Sequence, residues 1–363
     1  MRFKKKGRPD LFIFFVTLLL LAIGVIMVFS ASYYDTLEDD PYFYLRKQIT
    51  WAGLGLVAML VMTKIDYFRL KPYINLAFGV GIILLILVLF SDPVKGSRRW
   101  IDLGFTSVQP SEIMKLCIVF FVAKRLSRPR TDIKKFFTGV CPYLGILALV
   151  GFLIMLEPDL GTTVAIAGTV GVLLIAAGLR FFHFTVLFCL GVAGVVLLII
   201  MDPTRLNRIT GWWSPWSHAG KEGYQIVNSL YALGSGGFFG MGLGNSRQKL
   251  DYLPEQHTDF IFAILGEELG FLGAFFVVVL FFLFAWRGYR IALRCPDPFG
   301  CLLAVGITTM IVLQAFINMG VVTGLLPVTG IGLPFISYGG SSMLITMVGV
   351  GTLLNISRYM QKT

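Results

Sequence analysis

Long apolar runs alternate with short polar stretches along the whole chain, and the runs are too long and too uniformly apolar to form one face of a soluble helix. The first, from Leu11 to about Ser30, is long enough to cross the roughly 30 Å hydrocarbon core of a bilayer. Comparable runs at about 48 to 63, 74 to 91, 111 to 126, 140 to 157, 161 to 179, 182 to 201, 258 to 286, 301 to 324 and 340 to 357 bring the predicted spans to ten, with both termini on one side. The pattern therefore predicts an all-α integral membrane protein of about ten transmembrane helices, a single polytopic domain over residues 1–363. One polar interval stands out by length: residues 202 to about 257 predict a long extracytoplasmic loop between helices 7 and 8. A cleaved signal peptide ending near Ser30-Ala31-Ser32 is the rival reading of the first run, but that run exceeds the usual apolar core of about 7 to 15 residues.

Composition agrees with the pattern: 56% of the residues are hydrophobic, only 14% are charged, and the mean hydropathy is +0.79. A soluble domain carries about a quarter charged residues. The net charge of +11 does not point to nucleic acid, because Lys and Arg sit in short clusters between the apolar runs, as loops held on the cytoplasmic side do. With the basic N-terminus (Arg2, Lys4, Lys5, Lys6, Arg8) inside, the clusters at Lys64 to Lys71, Lys124 to Lys135, Arg180, Arg287 to Arg294 and Arg358 to Lys362 also fall inside. The acidic stretch Asp35, Glu38, Asp39 and Asp40 then falls outside, and so do the polar segments 92–115, 157–161, 202–259 and 325–342. Whatever chemistry occurs is expected on that outer, extracytoplasmic face of the membrane, with both termini cytoplasmic. Five cysteines with no CxxC spacing imply neither a disulfide framework nor a zinc site.

Polar groups at the mouth of a membrane helix are costly unless paired, hydrated or used. Asp259 heads the candidates: it opens the eighth predicted span beside His257 and Thr258, where a long loop converges. A capping carboxylate is the plain alternative. Glu112 and Lys115, three residues apart near the start of the fourth span, can meet on one helix face as an ion pair. Arg98 and Arg99, with Arg205, Arg208, Arg247 and Lys249 of the large loop, are basic residues placed outside; they read either as interfacial anchors or as a rim for an anionic headgroup. Asp159, in the turn Glu157-Pro-Asp-Leu-Gly161, either caps the sixth helix or joins the site. The glycine-rich run 234–244 faces away from any cytoplasmic nucleotide and is expected to be a re-entrant segment packed closely on the bundle. His183 and His218 stand alone and read as structural.

The segments Gly-Ser-Arg-Arg-Trp-Ile from 96, Gln-Pro-Ser-Glu-Ile-Met-Lys from 109, Glu-Pro-Asp-Leu-Gly from 157 and Tyr-Leu-Pro-Glu-Gln-His-Thr-Asp-Phe-Ile-Phe-Ala from 252 resemble the SEDS family of shape, elongation, division and sporulation proteins. So does the long segment from Asn318 to Ser342, which contains Ile-Ser-Tyr-Gly-Gly-Ser-Ser and Ser337. The resemblance covers nearly the whole chain. Its phrase Val-Val-Thr-Gly-Leu-Leu-Pro-Val-Thr-Gly looks FtsW- and SpoVE-like, whereas His257 looks RodA-like. It implies a peptidoglycan glycosyltransferase that polymerises lipid II and works with a class B penicillin-binding protein, with Asp259 as the catalytic residue. Glu112, Lys115 and Asp159 match the family's supporting positions.

Such an enzyme needs a membrane groove for the lipid, outer cations for the diphosphate leaving group, and a base for the attacking 4-hydroxyl. Asp259 is the candidate base; Arg98, Arg99, Lys115, Arg205 and Arg208 are candidates for the diphosphate. The expected partners are lipid II, the penicillin-binding protein and membrane lipid, with no nucleic acid. No cofactor or metal ligand set is read, although a divalent cation is compatible with a diphosphate substrate. Two rivals carry weight: a lipid II flippase or other transporter, which ten spans with intramembrane charges would also fit, and a non-enzymatic division scaffold.

Overall fold

The computed structural model describes residues 7–34, 37, 40–93, 97–102, 104, 107–129, 133–250 and 252–360. Arg2, Lys4, Lys5, Lys6, Asp35, Glu38, Asp39, Gly96, Arg130, Asp251 and Lys362 lie outside the described residues. In chain order the helices are α1 (Leu11–Ser32), α2 (Phe43–Lys64), the single turn α3 (Tyr67–Leu70), α4 (Ile74–Val88), α5 (Pro110–Leu126), α6 (Cys141–Leu156), α7 (Leu160–Ala176) and α8 (Phe181–Ile200), followed by α9 (Pro203–Trp213), α10 (Tyr224–Gly236), α11 (Ile261–Arg294), α12 (Pro298–Val322) and α13 (Gly340–Ser357). A π-helical turn at Phe136–Val140 leads into α6, and a small antiparallel hairpin pairs Ile101–Asp102 with Ser107–Val108.

All ten predicted spans are helices; α3, α9 and α10 are extra. Six (α1, α6 with its π-helical lead-in, α8, α11, α12 and α13) are long and apolar enough by themselves to cross a membrane. α4 and α7 are shorter, largely apolar helices, while α2 and α5 carry charged residues near their ends. The 202–257 interval holds α9 and α10, short amphipathic helices that an apolar-run reading cannot see.

Cap chemistry sets several boundaries. Asp10 accepts from Ile13 N–H at 3.2 Å to start α1, and Asp297 accepts from Gly300 N–H at 2.9 Å to start α12. α12 and α13 lie deep in the bundle, whereas no residue of α8 is buried, so α8 is a rim helix. The two ends of the described chain share one face: Gly7 N–H donates to Arg358 O at 2.8 Å, Asp10 N–H donates to Ser357 Oγ at 2.9 Å, and Arg287 Nε donates to Asp10 Oδ2 at 2.7 Å. Lys249 Nζ of the long interval donates to Ser30 Oγ near the other end of α1 at 3.3 Å, which puts that part of the interval at the opposite face.

α11 is broken at Gly270, whose φ of 66° and ψ of −167° are non-helical. A break strands backbone groups that lipid cannot satisfy. The glycine-rich run supplies their partners: Met241 and Gly242 N–H donate to Glu267 O and Glu268 O, each at 3.0 Å, while Phe271 N–H donates to Gly237 O at 2.9 Å. Approach this close requires glycine on both sides, since a Cβ on Gly240 would collide with Glu268 O and one on Gly270 with Gly240 N.

Beside the break, the Glu267 carboxylate accepts from Ser235 Oγ, Ser246 Oγ, Arg247 N–H and Gln248 N–H. Glu268 accepts from Ser30 Oγ at 2.7 Å and from Lys249 Nζ at 3.0 Å. The expected basic rim therefore loses Lys249, which is 1% exposed and committed to a buried ion pair. The physical reason is local: two adjacent carboxylates inside the bundle need a cation more than the surface does.

Candidate active site

Asp259 does not open a helix. It lies half-buried in a turn, and α11 begins at Ile261 with Phe260 at its cap position and no side-chain capping bond. What fixes the turn is the segment 325–339, whose backbone runs alongside it. Asn318 Nδ2 on α12 donates both to Asp259 O at 2.7 Å and to Ile331 O at 2.8 Å. Ser337 Oγ donates to Thr258 O and accepts from Leu333 N–H, each at 2.6 Å, and Tyr338 N–H donates to His257 O at 3.0 Å. Asp259 Oδ2 stands 3.6 Å from where a Cβ on Gly330 would lie, so the carboxylate faces the backbone of that segment.

His257 packs its ring on Tyr44 at 4.5 Å between centroids and on Tyr338 at 5.9 Å, tying the turn to the start of α2. Burial and the neighbouring Tyr44 hydroxyl push the Tyr338 hydroxyl above its ordinary pKa.

The same segment reaches the other candidates. Lys115 Nζ pairs with Glu112 Oε1 at 2.7 Å, as the i,i+3 spacing predicts, and donates to Gln314 Oε1 at 2.6 Å. Gln314 Nε2 in turn donates to Gly332 O at 3.0 Å. Lys115 is thus a buried strut acting through Gln314 rather than a cation open to a headgroup. Gln314 and Asn318 lie one turn apart on α12, so a two-amide ladder holds residues 331 and 332 over that helix.

On the far side, a Cβ on Gly161 would come within 2.9 Å of Thr329 O. Asp159 caps α7, accepting from Thr162 N–H and Thr162 Oγ1, each at 2.9 Å. Arg99 Nη1 is 3.8 Å from Asp159 Oδ2, while its other nitrogens donate to Glu157 O and Pro158 O. Glu157 is fully buried with neither carboxylate oxygen hydrogen-bonded; burial first, then Asp159, push its carboxyl up to about 8 against the opposing pull of Arg99.

Asp259, His257, Ser337, Lys115, Glu112, Asp159 and Arg99 therefore gather around one irregular segment. The remaining cations do not. Arg98 Nη1 donates to Leu89 O at 2.9 Å; Arg205 pairs with Asp202 at 3.0 Å, and Arg208 is exposed on α9. α9 meets the bundle through Trp212, whose indole donates to Gly324 O at 2.9 Å. The amides Gln314 and Asn318 escaped the sequence reading. Their spacing of four on a largely apolar helix was the available signal.

A ten-helix membrane bundle with an irregular polar segment pinned against a carboxylate turn matches a known class. The cell cycle protein family of FtsW, RodA and SpoVE matches residues 10–362. The chain belongs to that family. It is similar to stage V sporulation protein E of Bacillus subtilis, at 49% identity with 98% of each chain covered. It is also similar to a probable peptidoglycan glycosyltransferase FtsW of Nitrosomonas europaea, at 43% identity over 96% of this chain and 93% of that one. Among solved structures it superposes on the rod shape determining protein RodA of Thermus thermophilus with a TM-score of 0.73, at 29% identity and 98% coverage of both. A chain from a structure described as the structural coordination of polymerization and crosslinking by a peptidoglycan synthase complex gives a TM-score of 0.81 at 28% identity, covering 96% of this chain and 98% of that one.

Proposed function

We propose that the protein is a peptidoglycan glycosyltransferase that polymerises lipid II at the outer face of the cytoplasmic membrane, with Asp259 as general base. The observation that carries this reading is the Asp259 turn itself: a half-buried carboxylate at the bundle's loop face, one residue ahead of the cap position of α11, in a turn fixed through Asn318 and Ser337. The Lys and Arg clusters support an orientation with both termini cytoplasmic and this face outside. Asp259 takes the proton of the acceptor sugar's 4-hydroxyl as that oxygen bonds to the donor's anomeric carbon, and the bond from that carbon to the diphosphate breaks. The lipid diphosphate leaves with the electron pair. General-base catalysis of this kind contributes about 10² to 10⁴-fold.

A class B penicillin-binding protein is the proposed partner, a reading supported by the likeness to a chain of a peptidoglycan synthase complex. Lipid II polymerisation by purified Asp259→Asn tests the assignment. An amide keeps the size of the carboxylate but cannot accept a proton, so glycan synthesis is expected to fall by about 10² or more at an unchanged melting temperature. Near-normal polymer formation would remove Asp259 from the chemistry. Headgroup translocation in vesicles without any polymer from the unaltered protein would support the flippase instead.

A further inference from the structure

The start of α13 carries polar groups that the site described above does not use. α2 and α13 run side by side, and one stripe of α2 makes the contact: Tyr44 meets Tyr338 at 5.0 Å between ring centroids, Trp51 packs so closely that a Cβ on Gly340 would collide with its indole, and Gly55 lies against Met343 and Met347. Gln48 is on this stripe, one turn after Tyr44 and one before Trp51, and so faces the backbone between Tyr338 and Gly340, which is the N-terminal end of α13. Gln48 is 0% exposed, and neither its amide nitrogen nor its carbonyl oxygen has a hydrogen-bond partner. Ser341, in the first turn of α13 and 5% exposed, likewise has an unpartnered hydroxyl.

Buried polar groups without partners are rare and costly, and here two of them sit at one helix end. That end opens on Gly339 with no side-chain cap, so the first amides of an 18-residue helix point outward with the positive end of its dipole. Gly339, Gly340 and Ser342 are partly exposed, so the helix end itself is open to an approach, with Gln48 and Ser341 in the layer behind it. On the outer turn of α2 the ammonium of Lys47 lies 4.3 Å over the Phe43 ring, and Arg46 pairs with Asp40. With Arg46 neutralised by Asp40, the cation left on this turn among the described residues is Lys47, which with the uncapped amides of α13 favours an oxyanion.

We propose that the N-terminus of α13, lined by Gln48, Trp51 and Ser341, is a subsite for a diphosphate group. Resting on the glycosyltransferase reading, the assignment makes this group the leaving diphosphate of the lipid-linked donor. The location suits that role. Ser337 and Tyr338, immediately before the helix, are the residues bonded to Thr258 O and His257 O, so the subsite adjoins the Asp259 turn.

The test uses the full-length protein in detergent, measuring thermal shifts with undecaprenyl diphosphate, undecaprenol and inorganic diphosphate. The unaltered protein is expected to be stabilised by undecaprenyl diphosphate far more than by undecaprenol, with a smaller shift from inorganic diphosphate. Gln48→Leu removes an amide that bonds to nothing in the protein, so its ligand-free melting temperature is expected to stay level or rise. Its affinity for undecaprenyl diphosphate is expected to fall about tenfold, the worth of one hydrogen bond to a charged group. Ser341→Ala, a smaller change, is expected to weaken binding in the same direction. In polymerisation both variants are expected to raise KM with the pH profile unchanged.

Equal affinity in the variants, or equal stabilisation by undecaprenol, would overturn the subsite. So would a destabilised Gln48→Leu that binds normally. Binding of inorganic diphosphate without undecaprenyl diphosphate would reduce it to a free-anion site and overturn the leaving-group assignment. A protein that binds undecaprenyl diphosphate in this Gln48-dependent way but makes no polymer would keep the subsite and lose the glycosyltransferase reading.

Discussion

Two clusters of glutamate and lysine are buried in this bundle, and they solve the same electrostatic problem differently. Around Lys115 the charges balance one to one: Glu112 neutralises it, and the spare donor capacity is passed to the neutral amide of Gln314 and on to the backbone beside Asp259. Around Lys249 they do not balance. Lys249 pairs with Glu268, while the neighbouring Glu267 is held by the hydroxyls of Ser235 and Ser246 and by the backbone amides of Arg247 and Gln248. The first cluster orients a segment that touches the site. The second ties the loop segment 246–249 to the broken part of a membrane helix. Similar residue types thus serve positioning in one place and anchoring in the other, and the bonding pattern distinguishes them, not the burial.

Lys249→Met is the severest way to break the comparison. It leaves the buried Glu268, next to a second buried carboxylate, without its cation, and removing one partner of such a pair costs about 3 to 5 kcal/mol. Thermal unfolding of the purified protein should show this loss, with Glu268→Gln added to the same chain recovering most of it. A melting temperature equal to that of the unaltered protein would mean that the backbone amides alone hold the carboxylates.

The balanced cluster should behave otherwise. The double variant Glu112→Gln, Lys115→Met removes both charges together, so the melting temperature is expected to stay close to that of the unaltered protein while polymerisation drops about tenfold or more through the misplaced Gln314 ladder. Full activity in that variant would make the pair an ornament of the fold and not a positioning element.

The smallest expected effect concerns Glu157, which sharpens the contrast by having no bonding partner for its carboxylate at all. Its carboxyl is raised to about 8 in the folded protein, so the folded state holds this proton more tightly than the unfolded chain does. The stability it contributes is complete below the ordinary carboxylate range and is lost as pH rises through about 8. Glu157→Gln should therefore melt with a flatter pH dependence over about pH 5 to 9, with its advantage growing toward the alkaline end. Parallel melting curves for the two proteins would show Glu157 to be ionised throughout.

The two clusters also show what the sequence can reveal. Glu112 and Lys115 are legible because helix geometry makes residues three apart neighbours. Lys249 and Glu268 are not, because only the fold of the loop brings them together, and Lys249 reads as one more loop cation. The ten spans were legible as apolar runs, since a bilayer imposes length and composition on each helix separately. The break at Gly270 was hidden, as a single glycine inside an apolar run leaves the periodicity unchanged. Asp259 is legible as a candidate, but the apolar pattern puts it at the head of a helix that in fact begins two residues later. Capping and irregular turns depend on backbone bonds, here from Asn318 and Ser337, which pattern alone does not carry.

The break in α11 has a bearing on how this chain could be recombined with its relatives. From Phe271 onward the helix continues for about 36 Å at 1.5 Å per residue, enough to cross the bilayer without the piece before it. That earlier piece, with the run 237–242, forms a backbone mesh in which each side satisfies amides and carbonyls of the other. Neither partner can be exchanged alone without stranding those groups in lipid. A chimaera that swaps the large loop between family members must therefore carry residues from about 237 to 272 as one block. The inheritable unit at this face is the loop together with the first third of the helix that follows it.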